Sequence, residues 1–596
     1  MIIVGFKSGG HDPAMAILKD GVVVCAAEEE RFTRVKHSHG SIPIQSIKWG
    51  LSRIGIKPEE VDYWAVHHAR PLRVVLLTIA PYMYKPPKNY AELRFAAIQI
   101  RNVLKNFYLN WLKSRTATQR LFQELGIKNP KIFFVEHHVA HGLSASMFSG
   151  IKEGLSLSID GKGDGTSLMV ATFANSKTGV KSKNFYDIKR RFDPRYSLGL
   201  AYTGFTKFLG FEPNDAEYKV MGLASYGTAA INLDKIFGYK KNGMPTRKIA
   251  PFVYNWRRSK HLEDFFGLSP RSPESQWEGI HADIAASAQK KLEESALAFA
   301  NRYLKRYNKK SLVLSGGVCL NVKMNMVLRE SLNLDEFYVQ PVSSDAGLPL
   351  GCVAFVYRKV TGLTPSSLST LHLGPDISEF SLEHLKEDSR IEFESFISME
   401  SLCEVVAREI SNGAVVAWMQ GQMEFGPRSL GARSILADPR RSDNRDRVNV
   451  KIKFRELFRP FCPSMLKDDF EKYVEGESAW IKSKSYHFMI EAFKANELAV
   501  QEIPAVIHVD GTFRPQVVEE VELVDSITPY QLLLKKFREI TGIGVLLNTS
   551  LNRRGEPIAC TPEQGMNIFH GTDLDLLVIN QTIFRKRVRS EMNHEN

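Results

Sequence analysis

The sequence predicts an α/β protein built from two successive regions, and three observations support this prediction. Short apolar strands alternate with amphipathic helices on both sides of residue 363, which is typical of α/β folds. A strand, a glycine-bearing turn and a second strand at the N-terminus are echoed near residue 160, and this echo indicates a duplicated nucleotide-binding core. Residues 363–374 are rich in Ser, Thr, Pro and Gly. We therefore expect them to link a region at 1–362 to a region at 375–596.

Local patterns justify the elements of the first region in chain order. Residues 2–5 form a short apolar strand. Asp20-Gly21 predicts a hairpin between residues 14–18 and 22–27, because this dipeptide accepts the positive φ of a tight turn. Periodicity then predicts helices at 43–55 and 91–124, a strand at 131–135 that enters a helix at His137, strands at 155–159 and 168–174, a long amphipathic helix at 281–307, strands at 311–314 and 336–340, and an apolar helix ending at Tyr357.

The second region has fewer clear elements. Residues 398–410 show helical periodicity, and Ser398 is placed to cap the start of that helix. Residues 414–419 and 544–547 are predicted strands. The alternation of element types continues here, so the second region is also predicted to be α/β.

Composition excludes several classes of protein. The 596 residues are 43% hydrophobic and 24% charged, which excludes a disordered, collagen-like or fibrous protein. The six cysteines are scattered without a C-x-x-C pair, which argues against a disulfide scaffold and a cysteine zinc site. The sequence shows no targeting segment and no run of about 18 apolar residues. We therefore expect a cytoplasmic protein that does not interact with membranes.

The positive net charge of the chain has two possible explanations. Lys and Arg number 79 against 66 Asp and Glu, a formal net charge of +13. The excess is compatible with a solvated basic face or with a pocket for small phosphorylated substrates. No helix-turn-helix or zinc-finger spacing is present, so we expect no nucleic-acid partner.

Glycine turns follow predicted strands at 8–10, 161–165, 315–317 and 345–347. Backbone N–H groups in such turns can face a phosphate, since glycine has no Cβ to block its approach. Together the four turns predict a nucleotide-phosphate site between two lobes. The alternative is that they are ordinary connections between strands and helices.

A histidine cluster is the strongest candidate for a metal site. His137 and His141 are four residues apart, so on a helix both imidazoles project from one face. Asp160 and Asp345 each adjoin a glycine turn at a strand end and are the best candidates to complete the site. Two histidines with two aspartates suit iron, manganese or zinc. The alternative is a surface or core histidine cluster without a metal.

His11 and Lys36 are the candidate catalytic residues. His11 lies at the tip of the first glycine turn, where an imidazole could take a proton from a hydroxyl nucleophile. Lys36 could stabilise developing oxyanion charge. Both side chains could equally be solvent-facing loop residues.

The second region offers a set of cations and neutral hydrogen-bonding side chains. Lys453 and Arg455 would point to one face of an extended segment, because side chains alternate along a strand, and Ser550 and Asn552 would do the same. With nearby arginines they could bind a triphosphate and a second anion.

Taken in order, these motifs resemble known families. The first region resembles the superfamily of actin, heat-shock ATPases and sugar kinases (ASKHA), and more closely the metal-containing family that transfers threonylcarbamoyl groups to tRNA, whose H-x-x-x-H motif matches His137 and His141. The second region resembles YrdC-like domains, whose K-x-R and S-x-N signatures match Lys453-x-Arg455 and Ser550-x-Asn552. Both in one chain, with stretches such as EYKVMGLASYG and EFGPRSLGARSILADPR, resemble the NodU/CmcH-type O-carbamoyltransferases.

This resemblance implies a two-lobed ASKHA-type domain followed by a YrdC-like α/β domain, and a reaction in two steps. The YrdC-like domain would make carbamoyl adenylate from carbamoyl phosphate and ATP with Mg²⁺. The first domain would transfer the carbamoyl group to a hydroxyl, with Fe²⁺ held by His137, His141, Asp160 and Asp345, and with His11 as base and Lys36 nearby. Anion and nucleotide binding is implied for Lys453, Arg455, Ser550, Asn552, Arg428, Arg514, Gly316, Gly317 and Asn321.

The expected acceptor is a small hydroxylated natural product, as in antibiotic biosynthesis, and a homodimer is compatible with the family. The first turn lacks an acidic residue before His11, so the identity of the acceptor does not carry over. One alternative is a tRNA threonylcarbamoyladenosine-type modification enzyme, which the basic charge favours. Another is an ATP-dependent chaperone or scaffold of the actin-like group, which would leave Lys453 and Ser550 unexplained.

Overall fold

The computed structural model of the chain describes residues 1–68, 71–84, 93, 96–101, 104, 118–175, 185–236, 239, 260–476, 480–519 and 527–587. The chain divides into two compact units. The N-terminal unit comprises Met1–Glu29, His37–Ser369 and Lys482–Ser485. The C-terminal unit comprises Glu30–Lys36, Thr370–Ile481 and Tyr486–Asn596.

The described strands of the N-terminal unit form two five-stranded sheets. The first sheet has the order β3-β2-β1-β4-β5 and the second the order β8-β7-β6-β9-β10. Their bounds are β1 Ile2–Lys7, β2 Ala14–Lys19, β3 Val22–Glu28, β4 Tyr63–Val66, β5 Ile132–Phe134, β6 Glu153–Gly163, β7 Thr166–Ala174, β8 Tyr186–Phe192, β9 Ser311–Ser315 and β10 Glu336–Val339.

The two sheets share one topology. In each, the first three strands in chain order are antiparallel neighbours, the fourth strand pairs in parallel with the first, and the fifth pairs in parallel with the fourth. The echo between the N-terminus and residue 160 is therefore confirmed as a repeated strand arrangement. The hairpin at Asp20-Gly21 is also confirmed, with φ angles of 50° and 87°.

Strands of the C-terminal unit form one large mixed sheet and two short ribbons. The eight-stranded sheet has the order β12-β22-β21-β13-β15-β20-β16-β19, and the ribbons pair β11 with β14 and β17 with β18. Their bounds are β11 His372–Asp376, β12 Ile391–Ser395, β13 Val416–Met419, β14 Gln422–Glu424, β15 Arg433–Ala437, β16 Cys462–Leu466, β17 Phe493–Lys494, β18 Thr512–Phe513, β19 Gln516–Val518, β20 Val545–Ser550, β21 Leu576–Ile579 and β22 Thr582–Lys586.

Helices alternate with these strands along the described chain. They are α1 Glu30–Thr33, α2 Ile44–Arg53, α3 Pro71–Tyr84, α4 His137–Ser146, α5 Leu198–Phe208, α6 Glu217–Leu223, α7 Lys260–Phe266, α8 Gly279–Tyr307, α9 Val322–Ser331, α10 Leu348–Thr361, α11 Glu383–Lys386, α12 Met399–Ser411, α13 Ser442–Arg447, α14 Lys467–Tyr473, α15 Glu497–Glu502, α16 Pro529–Thr541 and α17 Pro562–His570.

Helices α4 and α10 pack against each other in the N-terminal unit, and α10 also packs on β1. Their approach is close at Gly351, where an added Cβ would lie 1.8 Å from the carbonyl oxygen of Ala140. A side chain at this position would separate the helices. The contact holds the start of α10 beside α4.

The core of the C-terminal unit lies between its large sheet and two helices that pack together, α12 and α16. Leu402 and Val406 of α12 and Leu533 and Phe537 of α16 are fully buried. The predicted cap is confirmed, since Ser398 Oγ accepts a hydrogen bond from the backbone N–H of Ser401 at 3.1 Å.

One predicted turn is wrong in extent. Strand β6 continues through Gly161 to Gly163, which pairs with Thr166 of β7. The turn is thus confined to Asp164-Gly165, whose φ angles are 45° and 75°. Pairing across the hairpin extends the strand through glycines that the sequence alone assigns to a loop. The helix predicted at 91–124 falls largely outside the described residues.

All six cysteines lie among the described residues, where they are buried and form no disulfide. Among the described residues, no helix has both the length and the apolar composition needed to cross a bilayer.

Candidate active site

Four side chains from three different elements converge in the N-terminal unit. His137 and His141 lie one turn apart on α4, Asp160 lies on β6, and Asp345 begins the short helical turn before α10. Each offers one ligand atom, and these atoms all lie within 4.8 Å of one another. The structure thus brings together the four residues predicted as metal ligands.

Buried nitrogens in this cluster suit a metal ion. His137 Nε2 lies 3.4 Å from Asp160 Oδ2 and 3.5 Å from Asp345 Oδ1, and His141 Nε2 lies 3.5 Å from Asp345 Oδ1. Within the described part of the chain, neither ring nitrogen of His141 has a hydrogen-bond partner. Two ligands held at about 2.1 Å from one tetrahedral ion stand about 3.4 Å apart. The donor set and its spacing therefore fit a divalent cation.

Charge in the cluster matches this interpretation. Burial opposes protonation of His137, but Asp345 and Asp160 outweigh it and raise the pKa of His137 to about 9. Burial also opposes ionisation of Asp345, but His137 and Lys7 keep its pKa well below the ordinary value. Two ionised carboxylates face the imidazoles, so the site is prepared for positive charge.

Backbone features hold the His137 side chain in place. The N–H of His137 donates to Asp164 Oδ2 at 2.9 Å. Gly163 leaves room for the His137 ring, because an added Cβ there would lie 2.1 Å from the ring carbon Cδ2. The intervening His138 serves another purpose: its ring nitrogens contact Ser158 Oγ at 2.8 Å and the Thr166 carbonyl oxygen at 3.0 Å.

His11 lies beside this cluster. Its Nε2 is 3.9 Å from Asp345 Oδ2, and its side chain is 44% exposed. Lys7 is buried and supports the loop that carries His11: its Nζ donates to the carbonyl oxygens of Gly9 and His11 and lies 3.5 Å from Asp345 Oδ2. A predicted catalytic residue and four predicted metal ligands thus share one site.

Three functional candidates were missed by sequence reasoning, namely Asp12, His37 and Asp215. Asp12 contacts His11 Nδ1 at 3.0 Å and His37 Nδ1 at 2.6 Å, and His37 Nε2 contacts Asp215 at 2.9 Å. Asp12 directly follows His11, and this adjacency is the one sequence signal for the group. The other two residues are distant in the chain.

The first glycine turn differs from the predicted phosphate cradle. The N–H of Gly9 donates to the Ser41 carbonyl oxygen at 3.1 Å, and that of Asp12 donates to the His37 carbonyl oxygen at 3.0 Å. Two amides that would face an anion instead donate to carbonyl oxygens of the neighbouring loop at residues 37–41. Lys36 is half-buried and belongs to the C-terminal unit, so its role beside His11 stays a prediction.

The turn after β9 contacts the cluster of predicted metal ligands. The N–H of Gly317 donates to Asp160 Oδ1 at 3.0 Å. Gly316 has a φ of 94°, and a Cβ there would lie 2.4 Å from the Ile159 carbonyl oxygen. Asn321 caps α9 by accepting from the N–H of Met324 at 2.9 Å. Nucleotide binding by these three residues stays a prediction.

In the C-terminal unit, Lys453 joins Ser550 and Asn552. Its buried Nζ donates to the Ser550 carbonyl oxygen at 2.6 Å, and to the carbonyl oxygen and Oδ1 of Asn552, both at 2.7 Å. Ser550 Oγ in turn donates to Asn552 Oδ1 at 2.7 Å. Burial and the charges of Arg455 and Arg459 lower the pKa of Lys453. An incoming anion would relieve this excess of positive charge.

The extended segment predicted for Lys453 and Arg455 is wrong. A π-helical turn, Val448–Ile452, leads into Lys453, whose N–H donates to the Val448 carbonyl oxygen, and Phe454 is left-handed with a φ of 48°. Strand alternation therefore does not apply. Arg455 Nε instead donates to Asn449 Oδ1 at 2.6 Å.

Two of the predicted arginines lie at the start of β16. The Arg455 guanidinium lies 4.4 Å from the ring centre of Phe461, and Arg514 donates to Cys462 Sγ at 3.0 and 2.8 Å. Cys462 pairs with Asn548 near the end of β20, the strand that ends at Ser550. Cations from separate segments therefore gather near the start of β16 and the end of β20, two neighbouring strands. Arg428 is half-buried in the loop after β14.

Comparison with known proteins covers most of the chain. Residues 2–354 match the family model for the carbamoyltransferase N-terminus, and residues 407–586 match that for the carbamoyltransferase C-terminus. The chain is 33% identical to the uncharacterized protein sll1178 of Synechocystis sp., over 100% of this chain and 98% of the relative. It is 32% identical to nodulation protein NolNO of Sinorhizobium fredii, over 97% of this chain and 80% of the relative.

Among solved structures, HypF of T. kodakarensis is 14% identical, with a TM-score of 0.33, over 59% of this chain and 46% of that chain.

Proposed function

The chain belongs to the carbamoyltransferase family, and from this premise we propose that it is an ATP-dependent O-carbamoyltransferase acting on a hydroxylated small molecule. The C-terminal unit, of the YrdC-like type, makes carbamoyl adenylate. The N-terminal unit, of the actin and heat-shock ATPase type, transfers the carbamoyl group. The repeated five-stranded sheet of the N-terminal unit supports its assignment to the actin and heat-shock ATPase type.

The observation that carries the proposal is the four-ligand cluster with His11 beside it. His137, His141, Asp160 and Asp345 would hold the metal, for which Fe²⁺ is our expectation. When bound, a divalent cation supplies Lewis-acid polarisation of a carbonyl oxygen. His11 contributes an imidazole that can take the proton of the acceptor hydroxyl, and it lies 3.9 Å from the carboxylate of Asp345.

In the C-terminal unit, Lys453 and the arginines bind anions. One water converts carbamoyl phosphate into carbamate and phosphate. An oxygen of the carbamate then attacks the α-phosphate of ATP, which is bound with Mg²⁺, and pyrophosphate leaves. Lys453, Ser550 and Asn552 form a hydrogen-bonded group, and Arg455 and Arg514 lie near the start of the neighbouring strand β16. These cations orient and neutralise the phosphates.

In the transfer step, one bond to the carbamoyl carbon forms as another breaks. The acceptor oxygen attacks the carbamoyl carbon of the adenylate, the hydroxyl proton passes to His11, and AMP leaves. A mixed anhydride with AMP provides a good leaving group, and exclusion of water limits its hydrolysis.

Pyrophosphate release by the full-length protein tests the proposal. With ATP, we expect release only when carbamoyl phosphate is added, and Lys453→Met should abolish it. Lys451→Met is the matched control, since Lys451 lies two residues away with its side chain 61% exposed, and it should leave release unchanged. Release supported by threonine and bicarbonate instead would favour tRNA modification. Pyrophosphate release at the same rate with and without carbamoyl phosphate would contradict the proposal.

A further inference from the structure

Four side chains of the N-terminal unit, beginning with the predicted catalytic residue His11, contact one another in series. Asp12 Oδ2 contacts His11 Nδ1 at 3.0 Å, and Asp12 Oδ1 contacts His37 Nδ1 at 2.6 Å. His37 Nε2 then contacts Asp215 Oδ1 at 2.9 Å. Each contact is within hydrogen-bond distance, so the four side chains form a continuous network.

The protonation of this network follows from its contacts. Burial opposes ionisation of Asp12, but hydrogen bonds with His11 and His37 outweigh it and lower its pKa below the ordinary value. An ionised carboxylate only accepts hydrogen bonds, so His11 Nδ1 and His37 Nδ1 must both donate to it. His37 has a carboxylate at each ring nitrogen and is therefore an imidazolium. Its contacts with Asp12 and Asp215 raise its pKa to about 10.

The backbone is shaped to hold this arrangement. Asp12 and His37 both have left-handed φ angles, 54° and 62°, which are uncommon for residues other than glycine. The N–H of Asp12 donates to the His37 carbonyl oxygen at 3.0 Å, and that of Gly40 donates to the Gly10 carbonyl oxygen at 2.7 Å. The two loops are thus joined by their backbones. These backbone contacts hold Asp12 and His37 beside each other.

We propose that Asp12 is a positioning residue for the transfer reaction: it fixes His11 in the tautomer whose Nε2 is unprotonated and faces the acceptor hydroxyl. His37 and Asp215 hold Asp12 in place and balance its charge. The role in transfer rests on the proposed function, whereas the tautomer itself does not. His11 Nε2 lies 3.9 Å from Asp345 Oδ2, too far for a hydrogen bond, and so remains available to accept a proton.

The proton of the acceptor hydroxyl passes through His11 to water. Nε2 of His11 takes the hydroxyl proton as the acceptor oxygen bonds to the carbamoyl carbon and AMP leaves. The resulting imidazolium is paired with the Asp12 carboxylate. Because the His11 side chain is 44% exposed, it can then release the proton to water.

Asp12→Asn separates this proposal from a structural role. The asparagine side chain has one oxygen for two N–H donors, and the His37 contact is the shorter, so the oxygen stays with His37 and the NH₂ group faces His11. His11 Nδ1 must then accept, which places the hydrogen on Nε2. The variant should retain its fold and carry the wrong tautomer.

Histidine ¹⁵N NMR measures this directly on the full-length protein loaded with diamagnetic zinc, at alkaline pH where His11 is neutral. His11→Gln assigns the signal. We expect the Nδ1–H form in the unmodified protein and the Nε2–H form in Asp12→Asn. Asp283→Asn is the matched control, since Asp283 accepts the N–H of Thr228 at 2.7 Å away from the site, and it should leave His11 unchanged. An Nε2–H form in the unmodified protein, or no change in Asp12→Asn, overturns the proposal.

If Asp12→Asn does not fold, His37→Gln serves instead. We expect His11 in this variant to be no longer entirely in the Nδ1–H form, and an unaltered signal overturns the proposal.

Carbamoyl transfer supplies the second readout, with glycerol and hydroxylamine as probes. Attack by glycerol needs a base, whereas hydroxylamine attacks as a neutral amine. Asp12→Asn should slow transfer to glycerol by about 10² to 10⁴, the range for loss of a general base, and change transfer to hydroxylamine little. Equal losses with both probes would indicate a structural role. Absence of carbamoyl-dependent pyrophosphate release in the unmodified protein would refute the proposed function and leave the NMR result standing on its own.

Discussion

Gly163 determines whether the His137 ring can occupy its place among the predicted metal ligands. A Cβ at this position would lie 2.1 Å from the ring, so Gly163→Ala should displace the imidazole and weaken metal affinity by about 10- to 100-fold, as loss of a ligand's support does. Gly161→Ala on the same strand is the control, because its Cβ would meet only Leu200 at 3.9 Å. Metal titration followed by elemental analysis measures both. Equal affinities in the two variants would contradict this role.

Single residues differ in how far the sequence reveals them. His137 and His141 were predicted from their spacing, since one helical turn sets their relative direction. The pairing of His37 with Asp215 spans 178 residues, and no local pattern encodes it. The contact of Asp12 with His37 depends on left-handed backbone at both residues, which polar side chains such as these adopt only occasionally. Such contacts follow from the tertiary fold.

At the scale of elements, the contact between α4 and α10 brings Asp345 to the histidines. Alanine usually favours a helix over glycine by about 1 kcal/mol. At Gly351 we expect the opposite, because a Cβ would lie 1.8 Å from the Ala140 carbonyl oxygen. Gly351→Ala should lower the free energy of unfolding by about 1–3 kcal/mol and weaken metal binding. Gly279→Ala at the start of α8, where nothing lies within 4 Å, should be neutral in denaturant unfolding. A stabilised Gly351→Ala would contradict this packing.

Elements with strong local signals were predicted well. The hairpin at Asp20-Gly21 and the long helix α8 follow from turn chemistry and from periodicity, which act over a few residues. The end of β6 was not predicted, because its extension to Gly163 depends on pairing with Thr166. The π-helical turn before Lys453 was also missed. It contains five residues, Val448–Ile452, in which apolar and polar side chains alternate, a pattern that is typical of a short strand.

At the scale of the whole molecule, the residues proposed for the two half-reactions lie in different units. The four predicted metal ligands and His11 belong to the N-terminal unit, and Lys453, Arg455, Ser550 and Asn552 belong to the C-terminal unit. The two half-reactions should therefore be separable by mutation. His137→Ala should lose stoichiometric metal while retaining carbamoyl-dependent pyrophosphate release. Lys453→Met should retain its metal and lose that release.

The controls for this separation lie beside the residues tested. His138 adjoins His137 but hydrogen-bonds to Ser158 and Thr166, so His138→Gln should keep its metal. Metal content by elemental analysis and pyrophosphate release, measured on the same preparations, give two independent readouts without a known acceptor. If folded His137→Ala loses pyrophosphate release together with its metal, adenylate formation depends on the N-terminal centre and the division of labour is wrong. If it keeps its metal, the ligand assignment fails instead.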